Sequence, residues 1–290
     1  MQAEKPVTVL PTICRSFDRV TQCVRAWKSA GDRIAVVPTM GALHQGHLSL
    51  VRSACENADR VIVTIFVNPI QFGVVEDLER YPRTLDEDLN LLAPLGVDLV
   101  FAPDQAGVYP ADFGTYIDPP PVARRLEGEM RPGHFRGVTT VVLKLLNMTQ
   151  ADDAWFGQKD FQQVAVVRQM VRDLNMPCEI QVAPTVRDAD GLALSSRNRR
   201  LSPDERERAL AINQSLRAAA DSIREGERDS HAIMTGLNQS LIDGGVSEIE
   251  YAVIAHPDTL ETMQRMTFPA VLLVAAKVGA TRLIDNCLVE

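Results

Sequence analysis

Val36-Val37-Pro38-Thr39-Met40-Gly41-Ala42-Leu43-His44-Gln45-Gly46-His47 opens as a short apolar strand, passes a glycine turn and runs into a helical pattern. Glycine lets backbone approach a ligand closely, and the first turn of a helix presents free N–H groups to phosphate. His44 and His47 stand three residues apart, a spacing that puts both rings on one helical face. Imidazoles there can donate to phosphate oxygens whose charge grows in a transition state. The stretch therefore predicts a nucleotide site that does chemistry at phosphorus. Capping or packing is the plainer role for such a pair. Zinc is a third, but it needs further ligands, and His134, His231 and His256 lack the spacing to supply them.

Strand-length apolar runs flank and follow this motif, at Ile34–Pro38, Val61–Val67, Asp98–Ala102, Ala154–Phe156 and Glu179–Ala183. Helical spacing is predicted over His47–Asp59, Leu85–Leu95 and Phe161–Asn175. Strands alternating with helices predict an α/β class with a parallel sheet covered on both faces, and ligands in such sheets gather at the carboxyl ends of the strands. The texture changes near Pro184. Ser202, with Glu205 three residues later, predicts the capped start of a long helix. A second helix is expected over His231–Leu241, and strands over Ile249–Ile254, Ala270–Ala275 and Thr281–Leu288. The expected division is a parallel-sheet domain over residues 1–184 and a smaller α+β domain over residues 185–290.

The chain of 290 residues is 46% hydrophobic and 23% charged, ordinary values for a globular protein of one or two domains. Its net charge of −8 disfavours general nucleic-acid binding, so local basic clusters call for a local anionic ligand. The five cysteines include no C-x-x-C pair, which argues against a disulfide framework or a zinc–cysteine site and for the reduced cytosol. The opening MQAEKPVTVL lacks the build of a signal peptide, and Val61–Val67 is too short to span a bilayer. A cytoplasmic protein with no membrane or nucleic-acid partner is expected.

Other loops carry polar groups past predicted strand ends. Asn68 and Gln71, in Phe66–Gly73, can serve a small substrate bearing hydroxyl and carboxylate groups, or simply end a strand. Gly157, Gln158, Lys159 and Asp160 precede a predicted helix. Lys159 offers a point charge for phosphate, and Asp160 can be a plain N-cap. Leu194-Ser195-Ser196-Arg197, with Arg199 and Arg200 beyond, joins hydroxyls to guanidinium as a polyphosphate clamp or a flexible basic linker. Arg131–Gly137 reads as a mobile, anion-friendly loop. Neither G-x-x-x-x-G-K-[ST] nor G-x-G-x-x-G occurs.

Taken together, PTMGALHQGH, FVNPIQFG, EDLERYPRTLDEDL, RPGHFRGV, WFGQKDFQQ and TVRDADGLALSSRN, in this order, resemble the pantothenate synthetase (pantoate–β-alanine ligase) family of the HIGH-motif nucleotidyltransferase superfamily. The match is close over Ile34–Ser202 and looser beyond. The resemblance implies a Rossmann-like first domain, a C-terminal lid domain and a homodimer. It implies ATP as co-substrate with Mg²⁺, and pantoate and β-alanine as the other substrates. Pantoate would attack the α-phosphorus of ATP, giving pantoyl adenylate and pyrophosphate, and β-alanine would then displace AMP. His44, His47, Lys159, Ser195, Ser196 and Arg197 become the implied catalytic group, with His47 as proton donor. Met40, Gly41, Gly46, Gly157, Gln158, Asp160, Val186 and Leu194 become the nucleotide contacts. Gln71 and Gln163 become the pantoate amides, with Asn68, Tyr81 and Arg131 as further substrate contacts. The protein ligands of Mg²⁺ stay unassigned, with Asp88 a water-mediated candidate. The chain departs from the family in carrying Leu194 for methionine, Ile70 for threonine, and Gln45 and Gln158 for glutamates.

Overall fold

The computed structural model describes residues 10–73 and 78–290. The expectation drawn from the first nine residues, and Glu76 and Asp77 at the head of EDLERYPRTLDEDL, lie outside them. Six parallel strands form the first sheet: β1 (Thr12–Cys14), β2 (Ile34–Thr39), β3 (Arg60–Ile65), β4 (Leu99–Phe101), β5 (Asp153–Gly157) and β6 (Glu179–Ala183). Their spatial order is β1-β4-β3-β2-β5-β6. Helices α1 (Phe17–Ala30), α2 (Gln45–Asn57), α3 (Leu85–Leu92), α4 (His134–Thr149) and α5 (Phe161–Asp173) cover it.

The period of two along β2 shows how the layers form. Ile34 and Val36 join the core containing Val20, Val24, Val142 and Val167, from α1, α4 and α5. Ala35 and Val37 join the opposite core containing Leu48, Val51, Leu89 and Leu92, from α2 and α3. All four β2 residues have no exposed surface. Such near-continuous apolar strands are what a parallel sheet buried on both faces requires. The chain builds β2, β3 and β4 outward in one direction and then returns to place β5 on the other side of β2. This reversal makes the carboxyl ends of β2 and β5 the crevice where ligands bind in open α/β sheets.

The second sheet is antiparallel, in the order β7 (Glu248–Ala255), β8 (Ala270–Val278) and β9 (Thr281–Val289). Helices α6 (Pro203–Arg224) and α7 (Ser230–Asp243) pack on one face, where Leu272, Val274 and Ala276 meet Ile212, Leu216 and Leu237. The alternate residues Val271 and Leu273 join the core on one face of the first sheet, together with Ala255 and Leu260. The α+β unit is thus docked through an apolar sheet face. The expected capping box at Ser202 is present, with Ser202 Oγ accepting from Glu205 N at 3.2 Å and Glu205 accepting from Ser202 N at 2.8 Å.

One strand escapes the sequence reading, and one reading needs correction. β1 is an edge strand of three residues, too short for alternation to register. Arg131–Gly137 is not a mobile loop: His134 begins a 16-residue helix, and His134, Phe135 and Gly137 are buried. The helix lies in the run HFRGVTTVVLKLLNMT, whose apolar face the glycine-rich opening obscures.

Candidate active site

The polar loops leave the carboxyl ends of four adjacent strands. Residues 40–47 follow β2, residues 66–73 follow β3, residues 157–160 follow β5, and residues 184–197 follow β6. Their convergence needs no shared local signal, because sheet order alone brings them to one rim.

His44 is the N-cap of α2. Its Nδ1 accepts from Gly46 N at 3.2 Å, and His47 Nδ1 accepts from His44 N at 3.3 Å. The rings lie 4.0 Å apart between centroids. Capping is therefore real, and it has a chemical consequence. A nitrogen that accepts a backbone N–H carries no proton, so in each neutral ring the proton sits on Nε2. Burial, then Lys159 and Arg199, pull His44 down to about 4, while burial, His44 and Lys159 pull His47 down to about 3. Both rings are neutral near pH 7, and each has an Nε2–H left to donate.

The turn before them is shaped by Asp88. Its carboxylate accepts from Ala42 N at 3.0 Å and Leu43 N at 2.7 Å, and it is almost wholly buried. Gly41 and Ala42 both have positive φ, +80° and +51°. A Cβ at Gly41 would stand 3.0 Å from Asp88 Oδ2, so the left-handed turn and the carboxylate fit only with glycine there. With one backbone N–H on each oxygen, Asp88 organises the loop. Its negative charge was visible in sequence, but its partners lie 45 and 46 residues away.

On the β3 side, Gln71 Nε2 points to Met40 Sδ at 3.0 Å, linking the two loops. Asn68 takes a different place from the expected substrate contact. Its nitrogen donates to Gln71 Oε1 at 2.9 Å and to Gly137 O at 3.1 Å, while its oxygen accepts from Tyr109 at 2.8 Å. With both N–H donors used and the residue buried, Asn68 orients Gln71. Gly137 makes this possible, since a Cβ there would meet Ile70 O at 2.5 Å and Gln71 N at 2.7 Å. His134 Nδ1 also lies 2.9 Å from Gln71 O.

On the β5 side, Lys159 is half-buried and makes no ion pair among the described residues. Asp160 stands at the N-cap of α5 without a side-chain cap bond, so capping does not account for it. Gln163 is half-buried with no hydrogen bond among the described residues, whereas its neighbour Gln162 is buried and bonded to Glu127 N, Val122 O and Arg125 O. The paired glutamines thus separate into a structural one and an available one. Asn286 of β9 donates to Gln158 O at 2.9 Å and Lys159 O at 3.0 Å, which fixes this turn from the second sheet.

Beyond β6, Leu194 N donates to Val186 O at 3.0 Å, closing a loop whose Leu194 Cβ would lie 3.7 Å from a Cβ placed at Gly46. Ser195 Oγ caps a short helical turn by accepting from Arg197 N. Tyr81, whose phenol is raised chiefly by burial, lies beside Ser196 and Arg197. Arg131, lowered chiefly by burial and next by Arg197, pairs with Glu127 at 3.8 Å. Arg197 makes no ion pair among the described residues. The rim thus joins the His44–His47 pair to Lys159, Arg197 and the Gln71 amide. Among the described residues no three His, Cys, Asp or Glu side chains cluster to hold a metal ion, and no helix is long and apolar enough to cross a membrane.

A family model described as pantoate-beta-alanine ligase matches residues 12–288, reaching well past the stretch whose resemblance is plain in the motifs. The chain is similar to a pantothenate synthetase of Thermoanaerobacter pseudethanolicus, 49% identical over 94% of this chain and 96% of that protein. It is similar also to one from Roseiflexus castenholzii, 51% identical over 89% and 92%. Among solved structures, pantothenate synthetase from Thermus thermophilus superposes with a TM-score of 0.90 at 40% identity, covering 95% of this chain and 98% of that one. The pantoate-beta-alanine ligase of Francisella tularensis, complexed with beta-gamma ATP and beta-alanine, does so with a TM-score of 0.80 at 35% identity, covering 96% and 97%.

Proposed function

Because the chain belongs to the pantoate-beta-alanine ligase family, we propose that it makes pantothenate from pantoate and β-alanine through a pantoyl adenylate, releasing pyrophosphate and AMP. The observation that carries the adenylation step is the neutral His44–His47 pair with both Nδ1 atoms capped.

A free carboxylate is a poor acyl donor because oxide is a poor leaving group. Attack of a pantoate carboxylate oxygen on the α-phosphorus forms a P–O bond, breaks the bond to the β-phosphate and sends its electron pair out on pyrophosphate. Negative charge then grows on the phosphate oxygens. Lys159 and Arg197 meet it with full positive charge, and the two Nε2–H groups meet it as uncharged donors already aimed by the backbone. His47 serves as a hydrogen-bond donor through Nε2–H, its ring held neutral at pH 7 chiefly by burial before the nucleotide binds. Gln71 and Gln163 hold the hydroxy acid, with Asn68 acting through Gln71. Asp160 suits ribose hydroxyls, and Val186 and Leu194 line the adenine side. In the second step the β-alanine amine attacks the acyl carbon, the bond to AMP breaks, and the amine loses a proton.

Mg²⁺ would enter with the nucleotide, since this ion takes few protein ligands and the described residues hold no cluster of three His, Cys, Asp or Glu side chains for it. When bound, it neutralises phosphate charge.

A substrate-omission assay tests the reading, with AMP, pyrophosphate and pantothenate followed separately. Pyrophosphate should appear with ATP and pantoate alone, and AMP and pantothenate only after β-alanine is added. Pantothenate formation with ADP and inorganic phosphate as co-products would refute the adenylate route.

A further inference from the structure

A groove of about 510 Å³ lies behind the candidate active site, where β6, α6 and β9 meet. Thr185 and Asn213 line it, and neither belongs to the machinery above. Thr185 Oγ is buried with no hydrogen-bond partner among the described residues. Asn213 is 6% exposed, and its amide makes no hydrogen bond among the described residues while keeping some accessible surface at the groove. Unpaired buried polar groups of this kind cost stability unless something else binds them. Charge at the groove is unbalanced. Arg187 is held by Asp285 at 2.6 Å and Arg224 by Asp221 at 2.7 Å, while Arg217 has no carboxylate partner among the described residues. The Arg217 guanidinium and the Asn213 amide, one helical turn apart on α6 at this groove, match a carboxylate or phosphate group.

We propose that this groove is a second site, for a small organic or inorganic anion bearing carboxylate or phosphate, which adjusts the nucleotide loops from behind. The coupling rests on the proposed ATP reading, and its route is short. Gln158 and Asn286 line the groove, and Asn286 also holds the Gln158 and Lys159 carbonyls. Asn213 Nδ2 abuts Gly191, 2.7 Å from where a Cβ would stand, and Arg187 donates to Gly191 O at 3.3 Å. Gly191 leads directly into the Leu194–Arg197 loop. An anion drawn between Arg217 and Asn213 therefore bears on both the Lys159 turn and that loop.

Cys287, half-buried in the groove wall, provides a readout independent of turnover. Its thiol is raised chiefly by burial, so alkylation is followed at alkaline pH by mass spectrometry, with Cys23 as internal reference. The probes are inorganic phosphate and citrate, one for each anion chemistry. At least one should slow Cys287 alkylation threefold or more while leaving Cys23 unchanged, and Arg217→Ala should remove the protection. Binding of a non-hydrolysable ATP analogue should shift at least twofold with the same probe in the parent protein and not in Arg217→Ala. No protection by either probe, or protection that survives Arg217→Ala, overturns the site. Protection with unchanged nucleotide affinity overturns the coupling. Loss of catalysis affects neither measurement of Cys287, so failure of the ligase reading is seen separately.

Discussion

His47 Nδ1 accepts the backbone N–H of His44 at 3.3 Å, so a histidine in the first turn of α2 holds the histidine that caps it. His44 completes the exchange by accepting from Gly46 N. The alternatives of cap and phosphate ligand are therefore compatible in one residue, because each ring has two nitrogens. The cap uses Nδ1, fixes the tautomer and leaves Nε2–H for the ligand.

Acid should destabilise the protein through this arrangement. His44 and His47 titrate at about 4 and about 3 in the fold, below their ordinary 6.5, and burial takes His134 to about 4. The unfolded chain thus binds more protons than the folded one between these values. The stability is fully present above about 6.5 and is lost as pH falls through 4 towards 3. Urea midpoints at pH 7.5 and 4.5 measure it, and the acid value should be lower. A double variant, His44→Gln with His47→Gln, should decline less steeply. An equal or higher midpoint at pH 4.5 contradicts the neutral-ring description.

Removing the donor has a kinetic signature. His47→Ala should lower single-turnover adenylation by about 10²–10³, the scale of losing one donor from a charge-stabilising site. The circular dichroism spectrum should be retained. Because the ring acts while neutral, the remaining parent rate should show no imidazole inflection between about pH 6 and 8. A rate that rises as pH falls towards 6 would instead assign His47 an acid's role.

Asp88→Asn tests the loop behind the pair. An amide has one acceptor oxygen where the carboxylate presents two, so either Ala42 N or Leu43 N loses its partner. The buried donor left over costs about 1–3 kcal/mol. Denaturant unfolding should show that loss, and titration with an ATP analogue should show weaker binding. Unchanged nucleotide affinity would detach Asp88 from the site.

Gly137→Ala addresses the hydroxy-acid side. Its Cβ would collide with the backbone of Ile70 and Gln71, so the turn must move. Overpacking of this kind costs about 1–3 kcal/mol. Misplacement of Gln71 should raise the KM for pantoate several-fold, with the KM for ATP less affected. Steady-state kinetics on the soluble variant decides this, and an unaltered pantoate KM would show that Gln71 is not held from α4.

Glu127→Gln measures how firmly the two sheets are joined. The Glu127 carboxylate is buried and accepts two bonds from Arg282, at 2.9 and 2.6 Å, and one from Tyr251 at 2.7 Å. Despite its burial, these donors hold its pKa below the usual range. Breaking a buried pair from one side costs about 3–5 kcal/mol, and a double-mutant cycle with Arg282→Met should recover part of it. Additive losses would mean that the residues act independently.

Sequence by itself determined the alternation of strands and helices, the Ser202 cap, and the identity of the residues at each loop. These are local properties: apolar period, turn residues and caps act within a few positions of one another. The fold class and the rim bearing His44, Gln71, Lys159 and Arg197 were legible on that basis. Only the tertiary structure decided what each group does there. Asp88 became a loop anchor through partners 45 and 46 residues away, and Asn68 a brace through Tyr109, 41 residues on. Gln162 was separated from Gln163 by carbonyls 37 and 40 residues upstream. Glu127 was joined to Arg282 across 155 residues. The physical reason is that burial and hydrogen-bond satisfaction belong to surfaces brought together by sheet order, and local spacing carries no mark of them.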